Sequence, residues 1–455
     1  MEPIIKIESL SLKNYRLFDN FEITFAPRLT VLVGENGSGK TAILDALSIF
    51  LYLAVTQTPF GLGSYFFYSL SDFSIIANQD DKVLYNIKLT LPCVSDNCSV
   101  NLFFNSKTSN MIKFSMENNN DPKIFPIKSV TSYEFNNLND FFLNKRPVLV
   151  AYKAGRFVTK ETTKLITHQN YLSQIPELMT HQNYIPQTTE ISNAFNQPID
   201  FASTLTWFNQ RDADEARAIR DGGSQAKDPV LTAVREAISK ALLGRYVRPR
   251  MKGSPPELII YGKDNDLPYN FNQLSSGFQA MLALVIDLAR RMAQSSQLGI
   301  APQESVLNAS AIVLIDEIEL HLHPAWQQQV IPTLLEIFPN TQFIITTHSP
   351  QVLTTIPHQC IRVLEKGQVY AAPEQTEGAE ASRLLKEVFD VEPRPQNLSI
   401  VETLNRYKNL VYAEKWDSEA AKDFRKQLDE HFGQGDLTLS ELDLFIENKK
   451  WMKGL

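Results

Sequence analysis

The sequence predicts an α/β fold that is interrupted by a largely helical insertion and followed by a short helical tail. Three observations point to it. Apolar runs typical of buried strands alternate with amphipathic helical segments in residues 1–156, and the same alternation returns in residues 251–370. The intervening residues 157–250 are polar with helical periodicity, and residues 371–455 carry charged amphipathic helices. We therefore expect two lobes of one α/β domain, with the insertion between them and the tail after them.

The composition is that of a globular protein with ample material for a core. The chain has 455 residues, of which 43% are hydrophobic and 21% charged, with a formal net charge of -7. This mild acidity argues against a general binder of nucleic acid or anionic membrane, although a local basic patch stays open. Three cysteines form no disulfide framework, and no apolar run approaches the roughly 18 residues of a membrane span. We expect a cytoplasmic protein without a membrane segment.

Short apolar runs and period-two alternation locate the strands, and longer runs with helical periodicity locate the helices. In the first lobe, strands are predicted in IIKIESLSLKNY (4–15), FDNFEITFA (18–26), LTVLVG (29–34), VLYNIKLTL (83–91), SVNLFFN (99–105) and RPVLVAYKAGR (146–156), and a helix in AILDALSIFLYLAV (42–55). In the second, strands are predicted in ELIIYGK (257–263), SAIVLIDEI (310–318) and TQFIITTHS (341–349), and helices in GFQAMLALVIDLARRMAQ (277–294) and AWQQQVIPTLLEIF (325–338). The pentapeptide THQNY occurs twice, at 167–171 and 180–184, which is too few copies for a solenoid, and we assign it no function.

The segment GENGSGKT matches the pattern G-x-x-x-x-G-K-[ST] and lies between a predicted strand and a predicted helix. Glycines let backbone N–H groups curl around phosphates, and the helix N-terminus adds a favourable dipole. Lys40 supplies a positive charge to the β- and γ-phosphates, and the Thr41 hydroxyl is a ligand for Mg²⁺. The predicted phosphate loop consists of Gly34, Glu35, Asn36, Gly37, Ser38, Gly39, Lys40 and Thr41.

Two further strands end in polar residues at the edge where open α/β sheets bind ligands. AIVLIDE (311–317) brings Asp316 and Glu317 to a strand end. We expect Asp316 to contact Mg²⁺ directly or through water, and Glu317 to polarise the attacking water as a general base. FIITTHS (343–349) ends in His348, which is placed to touch a γ-phosphate or that water. The alternative for the acids is a surface turn that starts a helix.

LSSG (274–277) precedes a long amphipathic helix. Ser275, Ser276 and Gly277 at a helix N-terminus form a second candidate anion site. The tetrapeptide alone is weak, because Ser-Ser-Gly is ordinary in loops. Its place in the chain is more specific, since it follows the glycine loop and precedes the acid strand and the histidine.

This order of motifs resembles that of the ABC-type ATPase head, over residues 1 to about 365. The resemblance implies a mixed central sheet with ATP and Mg²⁺ bound between two copies of the chain, in a homodimer or a higher oligomer. It makes Asp316 and Glu317 the Walker B acids and His348 the switch histidine. It also implies that Ser275 and Gly277 reach the γ-phosphate bound by the other subunit. Arg16 in NYRLF is similar to the arginine of the RecF, SMC and Rad50-like branch and is therefore a candidate nucleotide contact.

Two positions depart from that family or cannot be placed in it. Phe278 follows the signature glycine, where the family commonly has an acid or Gln. The Gln of the family's Q-loop has no secure position, and Gln79 is only a candidate. The pair His321 and His323 suggests a metal cage, but zinc needs further ligands at compatible spacing. The resemblance places both in the D-loop, and Pro324 predicts an extended His323 just before a helix.

The long interval between Lys40 and Ser275 disfavours a compact transporter ATPase. The stretch from DEIELHLHPAWQQQ to TTHSPQVL is similar to the ATPases that resemble the overcoming-lysogenisation-defect and PtuA families of anti-phage defence, in Septu, retron-associated and PARIS systems. That resemblance implies a sensor or regulator that controls a separate HNH or Toprim nuclease or a toxin, with DNA or a phage protein as trigger. We expect the helical tail, residues 371–455, to be the region that binds a partner. We expect no nuclease activity in the chain itself, because no strand-borne Asp-x-Asp cluster follows the head. Two alternatives stay open: a transporter subunit, and a RecF-like clamp on DNA, for which the candidate basic face is Lys240, Arg245, Arg248, Arg250 and Lys252.

Overall fold

The computed structural model describes residues 6–56, 84–92, 97–104, 148–154, 201–222, 227–296, 305–433 and 435–452. The chain divides into two compact units, Met1–Leu384 and Leu385–Leu455. The THQNY repeat and Gln79 lie outside the described residues. In the ranges given above, no helix combines the length and the apolarity that crossing a bilayer requires.

Most strands and helices of the described ranges fall where the sequence predicts them. The strands at 246–252, 268–270, 361–365 and 368–371 are not predicted, and the helix predicted at 325–338 is divided into two helices at 324–327 and 330–337. The strands are β1 (Lys6–Tyr15), β2 (Phe18–Thr24), β3 (Leu29–Gly34), β4 (Leu84–Pro92), β5 (Asn97–Phe104), β6 (Val148–Tyr152), β7 (Tyr246–Lys252), β8 (Glu257–Gly262), β9 (Pro268–Asn270), β10 (Ala311–Ile315), β11 (Thr341–Thr346), β12 (Ile361–Glu365) and β13 (Gln368–Ala371). The helices are α1 (Lys40–Thr56), α2 (Phe201–Gly222), α3 (Pro229–Ala241), α4 (Ser276–Ser296), α5 (Pro324–Gln327), α6 (Val330–Ile337), α7 (Pro350–Leu353), α8 (Ala381–Phe389), α9 (Ser399–Tyr412), α10 (Glu419–Phe432) and α11 (Leu437–Met452).

The core of the first unit is a six-stranded mixed sheet with the order β13-β12-β3-β11-β10-β6. Neighbouring strands from β12 to β6 are parallel, and β13 joins the edge antiparallel to β12. Every residue of β3, β6, β10 and β11 is buried, as expected for parallel strands covered on both faces. The mixed α/β architecture predicted from the sequence is confirmed. Because the parallel strands point the same way, the residues that follow β3, β10 and β11 meet at one edge.

A four-stranded antiparallel sheet, β2-β1-β4-β5, lies beside the central sheet. Gln342 on β11 ties the two sheets together: its Oε1 accepts the N–H of Ile7 at 2.7 Å, and its Nε2 donates to the carbonyl of Ile7 at 2.8 Å. The side-chain amide of Gln342 thus pairs with the buried N–H and carbonyl groups of Ile7, near the start of β1. The arrangement holds β1 against β11, which is the neighbour of the strand that leads to the phosphate loop.

The described part of the insertion contains α2 and α3, where amphipathic periodicity predicts helices. Asp228 caps α3 by accepting hydrogen bonds from the N–H groups of Val230 and Leu231 at 2.8 and 3.3 Å. The range 157–250 is not helical to its end, since β7 begins at Tyr246. Strand β7 pairs with β8, and β8 with β9, in a separate antiparallel sheet. The period-two pattern of RYVRPRMK is broken by a bulge after Val247, which obscures the strand in the sequence.

The second unit, Leu385–Leu455, is a small helical body formed by α9, α10 and α11 after the end of α8. The helical character predicted for the tail is therefore confirmed. Apolar residues on one face of each of the three helices form its core, which the loop residue Trp416 completes. The buried members of this core are Leu404, Tyr407, Val411, Trp416, Ala421, Leu428, Leu439 and Leu442.

Candidate nucleotide site

The phosphate loop joins the end of β3 to the start of α1, as predicted. Gly34, Gly37 and Gly39 have φ values of 150°, 82° and 102°, a region that side chains other than glycine rarely adopt. A Cβ on Gly34 would clash with the backbone carbonyl oxygen of Leu364, so this position also needs glycine for space. The sequence therefore folds into a tight glycine turn that ends at a helix N-terminus, which is the backbone geometry of an anion site.

Lys40 is nearly buried, with 6% of its surface exposed. Its Nζ donates hydrogen bonds to the carbonyls of Gly34 and Glu35 at 2.9 and 2.8 Å. Burial lowers the pKa of Lys40, while Asp316 and the neighbouring acids oppose that change. The carbonyls of the phosphate loop thus hold the Lys40 ammonium group inside the loop, next to the acid strand.

Asp316 is fixed by hydrogen bonds from three directions. The hydroxyl of Thr41 donates to its Oδ2 at 3.1 Å, and the hydroxyl of Thr346 donates to its Oδ1 at 2.5 Å. The N–H of Asp316 donates to the carbonyl of Tyr152 at 2.8 Å. The structure therefore brings together the threonine and the aspartate that the sequence predicts as Mg²⁺ ligands. A hydroxyl and a carboxylate oxygen are the donors that Mg²⁺ prefers.

Glu317 follows Asp316 in a left-handed backbone conformation with a φ of 49°. Its N–H donates to Oγ1 of Thr346 at 2.8 Å, so one threonine holds both Asp316 and Glu317. A non-glycine residue at positive φ is uncommon and is concentrated at functional sites. The turn diverts the chain sharply where β10 ends.

His348 lies at the end of β11, and Glu319 holds it there. Oε1 of Glu319 accepts the N–H of His348 at 2.6 Å, and Oε2 accepts the hydroxyl of Thr347 at 2.8 Å. Burial lowers the pKa of His348, with Lys40 as the second cause, so the imidazole is neutral near pH 7. Glu319 is not among the site residues that the motifs predict. The signal for it is the third acid of DEIE, two residues after Glu317.

The signature segment packs against the loop that follows the acids. Ser275 and Ser276 are exposed at the start of α4, whereas Gly277 is buried. A Cβ on Gly277 would lie 3.0 Å from the carbonyl oxygen of His321, so glycine permits close approach of the two backbones. The described hydrogen bonds do not link Ser275 or Ser276 to the phosphate loop of the same chain. Their predicted role toward a nucleotide on another subunit stays a prediction.

Phe278, the position that departs from the family pattern, joins the signature to the same loop. Its ring meets that of Trp326 on α5 edge-on, with centroids 4.5 Å apart. It also meets the ring of Tyr246 on β7 at 5.9 Å. Aromatic pairs at these separations stabilise by about 0.5–1.5 kcal/mol beyond the area they bury. Phe278 therefore packs between two aromatic rings, those of Trp326 and Tyr246.

Arg16 and His323 each make a defined contact within the chain. Arg16 has a φ of 50°, and its Nη1 lies 2.9 Å from Oδ2 of Asp45 on α1. Its predicted contact with nucleotide stays a prediction. His323 is extended at φ -61° and ψ 145°, and its Nδ1 accepts the N–H of Ala325 at 3.3 Å. The predicted extended conformation before Pro324 is confirmed, and this imidazole serves as the N-cap of α5.

Family models match two parts of the chain. The model described as "AAA domain, putative AbiEii toxin, Type IV TA system" matches residues 170–354, and a second one, described as "AAA domain", matches residues 9–229. An SMC head domain from Thermotoga maritima aligns with 81% of this chain and 99% of its own length, at 13% identity and a TM-score of 0.38. At this identity and TM-score the structural similarity is weak.

The chain is similar in sequence to the "Retron Ec83 probable ATPase" of Escherichia coli, at 42% identity over 49% of this chain and 40% of that protein. The "Retron Vc95 probable ATPase" of Vibrio cholerae is 23% identical over 94% of this chain and 88% of its own length. The "Septu protein PtuA" of Bacillus mycoides is 24% identical over 76% of this chain and 38% of its own. The matched region thus spans less than half of the Ec83 and Bacillus proteins and most of the Vc95 protein.

The phosphate loop, the acid strand and His348 meet at one sheet edge, and the relatives carry the names of retron probable ATPases and of the Septu protein PtuA. The resemblance predicted from the motifs is therefore confirmed: the chain is a homologue of the retron ATPases and of Septu PtuA.

Proposed function

We propose that the chain binds ATP with Mg²⁺ and hydrolyses it slowly, as a switch that controls a separate effector in anti-phage defence. The observation that carries the nucleotide site is the hydrogen bond from Thr41 to Asp316, which joins the phosphate loop to the Walker B strand. The relatives' names support the defence role. Since the matched region covers only part of several of them, their partners and activities are transferred here as proposals.

In the proposed reaction each residue has a separate task. The backbone of residues 34–41 and the Lys40 ammonium bind the β- and γ-phosphates. Thr41 and Asp316 would hold Mg²⁺, which neutralises charge that develops on the phosphate oxygens. Glu317 accepts a proton from the attacking water, and the neutral imidazole of His348 orients that water or the γ-phosphate. The left-handed turn at Glu317 and the carboxylate of Glu319 fix these two residues before the substrate arrives.

We further propose that hydrolysis needs two copies of the chain. Ser275, Ser276 and Gly277 stand at the N-terminus of a 21-residue helix, and both serines are exposed. A helix start of this kind favours a negative charge, here the γ-phosphate on a second subunit. The ATP-bound form would then be a homodimer or a higher oligomer, whereas the nucleotide-free form would separate.

The proposed effector is a nuclease of the HNH or Toprim class or another toxin, and the trigger is DNA or a phage protein. The support is the sequence similarity to the Septu and retron ATPases. ATP binding and hydrolysis would set whether the effector is held or released. Purified chain without a partner is then expected to leave DNA intact.

The basic sheet formed by β7 and β8 favours a second candidate, a clamp that contacts DNA. Arg248 and Lys252 lie over the ring of Tyr261 at 4.8 and 5.3 Å, and Arg250 is exposed on the same strand. Cations around an aromatic ring suit a nucleic-acid backbone. Arg248 is also paired with Asp266, which reduces the charge of this face. The acidic balance of the whole chain favours the defence switch.

Glu317→Gln separates the nucleotide proposal from its alternatives. The amide cannot accept the water proton, so we expect ATP binding to persist, hydrolysis to fall by about 100-fold or more, and an ATP-dependent dimer to accumulate. Lys40→Ala should instead abolish binding, and Glu374→Gln, an exposed acid elsewhere in the first unit, should behave like the parent. Turnover by Glu317→Gln at the parental rate would refute the assignment of the base. DNA affinity that falls steeply with salt, and that is lost in Arg250→Glu, would favour the clamp instead.

A further inference from the structure

Helix α11 in the second unit has two apolar faces. On one face, Leu439 and Leu442 are 3% and 2% exposed, and Phe445 and Ile446 pack against the same core. This face explains why the helix belongs to the unit. A surface helix normally carries one such face and is polar on the opposite side.

The opposite face is also apolar, and it is exposed. Leu437, Leu444 and Trp451 have 80%, 60% and 81% of their surface accessible. They recur every seven residues, a spacing at which an α-helix rotates by only about 20°, so the three form one stripe along the helix. Met452, at 74% exposure, extends it. Large apolar side chains exposed along one line of a helix are costly in water and mark a surface that another chain covers.

The rim of this stripe is acidic. Ser440, Glu441, Glu447 and Asn448 are the exposed residues that flank it. Lys449 lies toward the packed face, where it pairs with Glu414 at 2.9 Å. We call the stripe and its rim the outer face of α11. If two copies met through it in either direction, the rim carboxylates of both helices would approach one another, which is unfavourable.

We propose that the outer face of α11 binds an amphipathic helix of another protein, whose apolar stripe is flanked by Lys or Arg. The seven-residue spacing fits a helix that packs along α11, and the acidic rim selects a basic partner. The identity of that partner as the effector rests on the proposed function. The binding of a basic helix to the outer face does not rest on the proposed function, because the phosphate loop and Walker B acids lie in the other unit of the chain.

The test uses two synthetic 21-residue helical peptides with the same leucine stripe, one flanked by lysine and the other by glutamate. Each is titrated into the full chain without nucleotide, and binding is followed by isothermal calorimetry and by the emission of Trp451. We expect the lysine peptide to bind at least tenfold more tightly than the glutamate peptide, with an affinity that falls as salt rises. Leu444→Glu should abolish binding, and the double variant Glu441→Lys, Glu447→Lys should reverse the preference.

Equal affinity for the two peptides, or none for the lysine peptide, would overturn the proposal. Two further measurements identify other occupants, and either positive result also overturns it. If sedimentation shows a dimer that Leu444→Glu dissociates, the occupant of the outer face is a second copy of this chain. If hydrogen exchange shows strong protection of the outer face in the free monomer, the occupant of that face is a segment of the same chain. ATP hydrolysis by Leu444→Glu at the parental rate keeps a failure here distinct from failure of the nucleotide site.

Discussion

Thr41 and Asp316 lie 275 residues apart in the chain and 3.1 Å apart in the fold, where the hydroxyl of one donates to the carboxylate of the other. The contact joins the first turn of α1 to the end of β10. Strand β11 lies between β3 and β10 and supplies Thr346, which holds the other oxygen of the same carboxylate. The two groups expected to bind Mg²⁺ are therefore already oriented by the sheet.

This relationship predicts a specific loss on replacing Thr41. In Thr41→Ala the hydroxyl is gone, so the affinity for MgATP should fall by about tenfold, roughly 1.4 kcal/mol. Affinity for ATP in EDTA should change little, because the phosphate loop and Lys40 are intact. Titration with a fluorescent ATP analogue, with and without Mg²⁺, measures both. Thr41→Ser keeps the hydroxyl and serves as the control. An equal loss with and without Mg²⁺ would show that Thr41 acts on the loop rather than on the metal.

Glu319 should control turnover through His348. Glu319→Ala leaves the hydroxyl of Thr347 and the N–H of His348 without their acceptor, a loss of about 1–3 kcal/mol when such groups are buried. We expect kcat to fall by about tenfold or more with KM nearly unchanged, because Glu319 positions His348 and does not touch the phosphate loop in the described contacts. Glu319→Gln retains one acceptor oxygen and should recover part of the rate. A rise in KM with unchanged kcat would contradict this positioning role.

The protonation of His348 should depend on Lys40. Burial lowers the pKa of His348, and the ammonium of Lys40 lowers it further. Lys40→Ala should therefore raise that pKa, which an NMR titration of the imidazole measures. Because the folded pKa is below the unfolded value of about 6.5, stability rises with pH up to that value and is lost as pH falls toward the folded pKa. His348→Gln should remove this part of the acid sensitivity. An unchanged imidazole pKa in Lys40→Ala would contradict the electrostatic link.

The sequence predicted the phosphate loop and four strands of the central sheet, β3, β6, β10 and β11, because these rest on local signals. Buried parallel strands give continuous apolar runs, and Gly34 to Thr41 form a motif with a fixed backbone geometry. Other features escaped for physical reasons. Strands β12 and β13 are short and only partly buried, so they give no continuous apolar run. Strand β7 carries a bulge that breaks its alternation, and Glu319 gains its role only when β10 and β11 pair. The contact between Gly277 and His321 depends on backbone approach across 44 residues of sequence, which no local pattern encodes.

Phe278 should stabilise the signature segment through Trp326. Phe278 is partly buried, and Phe278→Ala removes both ring contacts, so the free energy of unfolding should fall by about 1–3 kcal/mol. If the ring also fixes the exposed serines, ATP-dependent dimerisation should weaken while ATP binding by the monomer is retained. Sedimentation with and without ATP, beside urea unfolding, measures both effects. Phe278→Tyr preserves the ring and should restore them. Full dimerisation in a folded Phe278→Ala protein would separate the ring from signature function.

Asp287 should be the most sensitive position of helix α4, because its charge is completely buried and four side chains meet it. Arg290 and Arg291 pair with it at 3.1 and 2.8 Å, and the hydroxyl of Tyr152 donates to it at 2.8 Å, with Thr204 as the fourth contact. Burial disfavours its charge, but the two arginines outweigh burial and hold the pKa of Asp287 below its usual value. Its contribution to stability is therefore present above about pH 4 and is lost as pH falls through the folded pKa.

Asp287→Ala would leave two arginines without their counterion, a loss of about 3–5 kcal/mol. Urea unfolding at pH 7 measures it, with Asp264→Asn, at an exposed turn, as the matched control that should change stability little. Because the carbonyl of Tyr152 also accepts the N–H of Asp316, the effect should extend to the Walker B acids. Asp287→Asn keeps the shape and should fold more stably than Asp287→Ala, yet hydrolyse ATP more slowly than the parent. A stable Asp287→Asn protein with unchanged turnover would limit the cluster to a structural role, because it would show that charge on α4 does not reach Asp316.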